Sequence, residues 1–459
     1  MALPDGTSTG LGERRPCSAL ERARTYNSEA AVAELSVGID FGTSNTAVAL
    51  APPSSGAPSQ VVEIDPDAED ARLLRSVLFF PDDSPDLLFG APAISRYLAE
   101  GGGRLLLSIK TFLPSPLFRH TQIRREAWSL EELVGSLLAH LRQRIEERAG
   151  ARVGRLVLGR PALFSLDPAA DALAQGRLAR AAQEAGFPEP EFAIEPFAAA
   201  IDFEATLSRD SLVLVADFGA GTSDFTLMRL GPGRRGAPDR RKDVLASYGI
   251  YVGGDRFDSA IVEHRLLPLF GEGSTYMGLT TRQKIPAWIT RKLLAWHELS
   301  LLRERSTMAF LQRVLESSDA EAAVQSLMTL ASENLGFHLY RTVEAAKRQL
   351  SAEPEATVSF HQAGIEIEET ITSAQFDAWT APLRQQLSSA VDEVLARAGG
   401  PTPDAVFLTG GTSRVPSVRK LFADRFGETR ICETDALTSV VAGLGRIAGL
   451  AAEDQPHHK

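Results

Sequence analysis

The chain has 459 residues, 44% of them hydrophobic and 23% charged, which at ~150 residues per domain predicts two to four domains with ample apolar material for a core. Its 48 basic and 59 acidic residues leave a net charge of -11, which argues against general binding to nucleic acid or to an anionic membrane. Two cysteines, Cys17 and Cys432, are too few for a disulfide framework or a zinc finger, and no apolar run approaches the ~18 residues of a membrane span, so a cytoplasmic chain is expected.

Residues 1–34 are rich in Gly, Ser, Thr, Arg and Glu and have no apolar h-region, so a disordered leader is expected rather than a signal peptide. Residues 453–459 read as a solvated tail. Between them short β-rich runs alternate with long amphipathic stretches, the pattern of an α/β protein. Leu35–Asp40 reads as a buried strand, followed by strands Asn45–Leu50, Gln60–Ile64 and Ser76–Phe80. From Ser129 onward, Leu130, Leu133, Val134, Leu137, Leu138, Leu141 and Ile145 recur at helical spacing. A strand at Arg155–Leu158 precedes an Ala-rich helix near Ala169–Gly186, with Pro161 and Pro168 in the connection. Glu195-Pro196 opens another helix, since proline is tolerated in the first turn.

The pattern then restarts with strands at Leu212–Asp217 and Ser223–Leu230. Gly38-Ile39-Asp40-Phe41-Gly42-Thr43-Ser44-Asn45 and Asp217-Phe218-Gly219-Ala220-Gly221-Thr222-Ser223-Asp224 both place Asp-Phe-Gly after a buried strand. Both continue through a tight turn with Thr and Ser into a returning strand, which predicts two related lobes facing one cleft. Ile261–Leu350 reads as mostly helical. Ser318 and Glu321 have the spacing of a capping box, and Leu327, Ala331, Leu335, Leu339 and Val343 recur every four residues. Strands Ala356–Phe360 and Ile365–Glu368 follow, then a helix over Ser373–Ala398 and a buried strand at Ala405–Thr409. After Gly410-Gly411 come a helix from Val415 and a closing helix near Thr438–Leu450.

Each Asp-Phe-Gly turn has a chemical logic. Glycine removes Cβ so that backbone N–H groups can approach a phosphate, and Thr and Ser hydroxyls add donors. One copy could be a plain hairpin; two copies, each after a buried strand, weigh against that. Asp40, Glu195, Asp217 and Asp224 all fall at strand or helix ends that this arrangement brings together. Two carboxylates ~4 Å apart repel by ~4 kcal/mol at an effective dielectric of 20, so the cluster calls for a cation, and hard oxygens beside phosphates suit hydrated Mg²⁺.

Other signals carry less. Gly231-Pro232-Gly233-Arg234-Arg235-Gly236 fits a dinucleotide fingerprint but opens no helix, so it reads as a hairpin tip, and Arg240, Arg241 and Lys242 as a solvated basic patch. There is no Walker A sequence, no kinase His-Arg-Asp loop and no second histidine after His297-Glu298. Trp288 and Trp296 read as packing residues.

In this order the segments resemble the nucleotide-binding domain of the DnaK-type, seventy-kilodalton heat-shock chaperones, within the actin and sugar-kinase superfamily. The nearest likeness is to the stand-alone YegD-like members, and it spans roughly residues 36 to 450. The resemblance implies an actin-like α/β fold of two lobes, each a mixed sheet flanked by helices, with nucleotide in the cleft. It places the first lobe at 35–210 and the second at 211–452, with a helical insertion at about 285–339. It also implies ATP or ADP and Mg²⁺ as cofactors. By the same resemblance, Gly38 to Asn45 looks like the first phosphate loop, with Asp40 near the metal and Gly42, Thr43, Ser44 and Asn45 on the phosphates. Lys110 looks like the lysine that holds the attacking water, and Pro161 like the proline of an interlobe switch. Glu195 opens what looks like the connecting helix and helps hold the metal's water shell. Asp217 to Asp224 looks like the second phosphate loop, with Gly219 and Gly221 on phosphates, Asp217 and Asp224 near metal and water, and Thr222 near the γ-phosphate. Gly253-Gly254-Asp255 is similar to the family's Gly-Gly-Glu/Asp turn. Glu344, Lys347, Arg348 and Ser351 look like an adenosine clamp, with Gly410, Gly411, Thr412 and Arg414 under the ribose and adenine. The clamp positions share one helical face, and an arginine can stack on a flat base.

Departures from the family pattern set further expectations. Ala220 stands where the family has glycine, which would strain a turn of positive φ, and Phe197 stands where it has threonine. About ninety residues separate Gly254 from Glu344, more than in ordinary members, so Ile285–Leu339 is expected to be largely this chain's own. No acidic-hydrophobic linker or peptide-binding sandwich follows Leu450, which argues against J-domain partners and peptide clients and leaves the insertion as the surface for a protein partner. The expected activity is slow ATP hydrolysis. A nucleotide-gated binding module with little turnover and an actin-like filament protein are the alternatives.

Overall fold

The structure, a computed structural model, describes residues 33–51, 58–100, 102–235, 240–294, 299, 302–433 and 435–450. Residues 1–32 of the expected leader, the expected tail and Trp296 lie outside the described residues. No helix among the described residues is long and apolar enough to cross a membrane.

Two sheets repeat one plan. In the first lobe, β1 (Glu34–Phe41) pairs antiparallel with β2 (Asn45–Leu50), which adds the short strands β3 (Gln60–Val61) and β4 (Leu74–Arg75). On its other side β1 runs parallel to β5 (Arg152–Arg160), which pairs with β6 (Glu191–Ile194), for the order β6-β5-β1-β2-β3. In the second lobe, β7 (Ser211–Phe218) pairs antiparallel with β8 (Ser223–Leu230), which in turn pairs with β9 (Val244–Ile250). There β7 runs parallel to β10 (Ala405–Thr409), and β11 (Ile431–Glu433) closes the edge, for the order β9-β8-β7-β10-β11. The repeat seen in the sequence is therefore a repeat of topology, and the two-lobed mixed α/β architecture is the one expected.

The helices form where apolar spacing and caps agree. Helix α1 (Leu130–Ala149) starts on a Ser129–Glu132 capping box and buries Leu130, Leu133, Leu137, Leu141 and Ile145. It packs on α2 (Pro168–Glu184), which the Asp167 carboxylate caps. His140 of α1 stacks on Phe89 with ring centroids 4.6 Å apart, and burial, then the Arg144 charge, pull its pKa from 6.5 down to about 4. Below pH 6.5 the unfolded chain therefore takes up a proton that the folded one refuses, so stability is lost as pH falls toward 4. The total is about 3 kcal/mol at ~1.4 kcal/mol per pH unit. His140→Phe should remove that part of the acid slope in urea titrations at pH 7 and pH 4.5; an unchanged slope would place the imidazole in water.

The lobes meet through α3 (Glu195–Glu204) and α4 (Ser439–Ala448), which cross in close contact. Their apolar cluster joins Val157 and Ala193 of the first sheet to Val213, Val215 and Phe407 of the second.

Several expectations are corrected. The leader's last expected residue, Glu34, opens β1. The strand expected over Gln60–Ile64 stops at Val61, and Ile64 turns to bond the Ala71 carbonyl. The span Ile261–Leu350 contains a hairpin, Thr275–Met277 against Arg282–Lys284, among its helices. The Ser318–Glu321 capping box does not form, because Ala320 is the N-cap and the Ser318 hydroxyl accepts from its N–H instead. The four-residue apolar stripe divides between helices Glu321–Ser332 and Gly336–Leu350, where Asn334 takes a left-handed φ of 59°, although all five side chains stay buried. Arg240 is 5% exposed rather than solvated, held 2.7 Å from both Glu204 and Asp243, since a buried charge persists only when paired. Trp288 is 56% exposed and faces Lys292, so it is not a packing residue.

Candidate functional site

Strand pleat decides where the two repeated aspartates point. Ile39 and Phe41 are buried in the first lobe's own core, and Ala216 and Phe218 in the second's. Side chains alternate along a strand, so Asp40 and Asp217 lie on the opposite, interlobe faces. Asp224 sits directly across from Asp217 in the β7–β8 register, and Glu195 is the first residue of α3. Lys110 lies on a single turn, Ile109–Phe112, entered through Ser108 at a left-handed φ of 51°. Its Nζ donates to Glu195 Oε1 at 2.7 Å, and the residue is only 8% exposed.

These groups act on one another. Burial first, then the Glu195 charge, push Asp40 up to about 7, with Lys110 pulling the other way. Asp224 rises to about 7 for the same two reasons, against hydrogen bonds from Thr222 Oγ1 at 3.2 Å and from the Ala162 N–H just after Pro161. Asp217 is likewise raised well above the usual carboxylate range, by burial first and then by Glu195, Asp224 and Asp40. Burial pulls Lys110 down, but Glu195 and Asp40 outweigh it and leave the ammonium raised. Among the described residues no three acids, histidines or cysteines are spaced to hold a metal ion directly.

The two turns flank this cluster. A Cβ on Gly42 would overlap the Asn45 carbonyl oxygen, so the first turn requires glycine. It is pinned by Ser76, whose hydroxyl donates to Gly42 O and whose N–H donates to Ser44 O, and Thr43 lies half-buried within it. In the second turn Gly219 is close-packed on Thr222, whereas Gly221 borders open space. Ala220 does not adopt a positive φ, so the strain expected there does not arise. The carbonyls of Gly219 and Ala220 accept from the N–H groups of Gly254 and Asp255, which docks this turn on the start of the helix Gly254–Ile261, just after Gly253.

The expected clamp residues share the helix Gly336–Leu350 and its C-cap but reach different partners. Lys347 turns inward to Asp258 at 2.7 Å and Gly254 O at 3.3 Å. Glu344 crosses to Arg75 of the first lobe at 2.7 Å; burial would raise its carboxyl, yet Arg75 and then Lys347 hold it below the ordinary range. Arg348, 62% exposed at its side chain, reaches Glu69 at 3.3 Å. Ser351 lines an open cavity of about 330 Å³ with Phe376, Val415 and Pro416. Gly410 and the turn Gly411–Arg414 follow β10. Thr412 lies against Gly254, and Arg414 is near enough to help Arg72 lower the Asp70 carboxyl. Arg75, Asp258 and the Arg72–Asp435 bridge across the cleft at 2.7 Å were not expected. Their one sequence signal is polar Arg75-Ser76 interrupting an apolar run.

A family model described as "Hsp70 protein" matches residues 115–277 and 319–451. The stretch between the two matched segments, 278–318, contains the first part of the region expected to be this chain's own, while 319–339 lies within the match; residues before 115 are also outside it. Among curated proteins, the chain is 26% identical over 432 residues to "Chaperone protein DnaK" of Thermosipho melanesiensis, covering 92% of this chain and 60% of the relative. It is 25% identical over 399 residues to "Chaperone protein DnaK" of Thermotoga neapolitana, covering 86% and 56%. It is 27% identical over 440 residues to "Chaperone protein HscA homolog" of Cupriavidus necator, covering 91% and 58%. The chain thus spans less than two thirds of the length of these relatives.

Proposed function

The chain belongs to the Hsp70 family, and from that premise we propose that it binds ATP or ADP with Mg²⁺ between its lobes and hydrolyses ATP slowly. The observation that supports this reading is the interlobe cluster of Asp40, Glu195, Asp217 and Asp224 around the single ammonium of Lys110. Its negative charge exceeds what Lys110 offsets, and burial drives Asp40 and Asp224 up to about 7. That donor set fits a hydrated divalent cation, held mainly through its water shell. When bound, the cation offsets phosphate charge.

The chain's own groups do the rest by positioning. Backbone N–H groups of the turns at 42–45 and 219–222 donate to phosphate oxygens, and the Thr222 hydroxyl faces the terminal phosphate. Lys110 holds a water in line for attack, and Glu195 with the aspartates would hold the water shell of the cation. Glu344, Lys347 and Ser351 reach the ribose hydroxyls, and Arg348 and Arg414 flank the base. Since Arg75 holds Glu344 and Glu69 holds Arg348 across the cleft, nucleotide competes for both. That competition favours a gating role beside hydrolysis.

The test is titration calorimetry with ATP, ADP and inorganic triphosphate. Arg348→Ala should weaken ATP and ADP by ~1–2 kcal/mol, roughly 5- to 30-fold, as expected for a lost cation–π stack. Triphosphate affinity should not change. Equal losses for all three would make Arg348 structural, and no ATP binding to the wild-type protein would overturn the reading.

A further inference from the structure

We propose that the seam between the lobes carries a second ligand site, one that takes a small carboxylate with an apolar ring or short acyl tail. A half-open cavity of about 170 Å³ lies there. Its first-lobe wall is Leu105, Leu107, Phe118 and Leu133, and its second-lobe wall is Leu299, Ala331 and Phe337. None of the residues placed around the nucleotide lines it.

The walls are anchored to each other. Phe337 packs into a first-lobe cluster of Val77, Phe79, Ala93 and Tyr97, and the Tyr97 hydroxyl donates to the Asn334 carbonyl at 2.5 Å. Asn334 is the left-handed residue at which the apolar stripe breaks, so the helix interruption forms part of the wall. An apolar cavity of ~150 Å³ stays dry and takes up a benzene-sized molecule; this one has room for a similar group.

Charge selects the other end of the ligand. Arg104 and Arg303, from opposite lobes, both line the cavity, and no carboxylate does. Among the described residues neither forms an ion pair; Arg104 has only a long hydrogen bond of 3.4 Å to Thr121. Both guanidinium groups sit exposed at the cavity mouth, where partial desolvation by its wall and then the Arg303 charge lower the Arg104 pKa. A carboxylate would satisfy both guanidinium groups, while its ring or short acyl tail fills the apolar space.

The experiment is titration calorimetry of nucleotide-free protein with hexanoate, benzoate and hexan-1-ol, so that its outcome is independent of the ATP reading. The carboxylates should bind with a Kd of about 1 mM or tighter and the alcohol at least tenfold more weakly. Ala331→Phe should abolish carboxylate binding by filling the cavity. Arg303→Glu, on the exposed rim where folding is not at risk, should weaken it at least tenfold. Hexanoate that binds no better than hexan-1-ol, or equally well to R303E, would overturn the site.

Discussion

Lys110→Ala is expected to cut single-turnover ATP hydrolysis about 10²- to 10³-fold while ATP binding stays nearly unchanged. Removing one preorganised electrostatic donor typically costs ~3–4 kcal/mol of transition-state stabilisation. Among the described residues Lys110 is the one ammonium facing the four carboxylates, and its Nζ sits 2.7 Å from Glu195. A second effect follows from the burial of that pair, whose side chains are 9% and 13% exposed. Breaking a buried pair from one side costs ~3–5 kcal/mol because the remaining charge is left uncompensated. Lys110→Ala should therefore be less stable without nucleotide, and magnesium and ADP should restore much of the loss. Combining Lys110→Met with Glu195→Gln separates the two effects, since it removes both charges. Stability should return and turnover should not. Rapid quench for turnover and urea titration for stability decide it; full turnover in Lys110→Ala would remove the lysine from the chemistry.

Gly443→Ala is expected to destabilise the protein by ~3 kcal/mol or more, the upper end of what overpacking costs. A methyl at 443 would overlap the carbonyl of Ala198, and backbone cannot rotate away as a side chain does. The two helices must then separate at the point where they join the sheets of both lobes. Because Glu195 opens one of them, turnover should fall with stability. Gly176→Ala is the control. It lies inside the helix Pro168–Glu184, where an added Cβ would come no closer than 3.8 Å to Arg180, and should stabilise by ~0.5–1 kcal/mol. Denaturant titrations showing Gly443→Ala within 1 kcal/mol of wild type would mean that the helices do not cross this closely.

Local chemistry was enough for much of the frame. Buried runs bounded by turn residues located Asn45–Leu50, Ser223–Leu230 and Ala405–Thr409 with their observed ends. Apolar spacing from Ser129 onward marked the start of its helix, where a Ser129–Glu132 capping box forms, because a cap and its helix are made by neighbours in the chain. Asp40 and Asp217 could be placed as well, since each precedes a core phenylalanine and alternation sends it to the other face. Where the partners lie in distant sequence, that reasoning stopped. Glu195 meets Lys110 across 85 positions within the first lobe, and Arg75 meets Glu344 across 269 from one lobe to the other, pairings that only tertiary packing sets. One helical face carries Glu344, Lys347 and Arg348, yet periodicity does not say which of them turns inward, and only Asp258 beneath the helix decides that for Lys347. Arg240 reads as a surface charge until Glu204 and Asp243 enclose it. Apolar periodicity thus determined which surfaces are buried, and the packing of the lobes determined which charges meet, because a charged side chain is indifferent to its neighbours in sequence and sensitive to whatever folding places within a few ångströms.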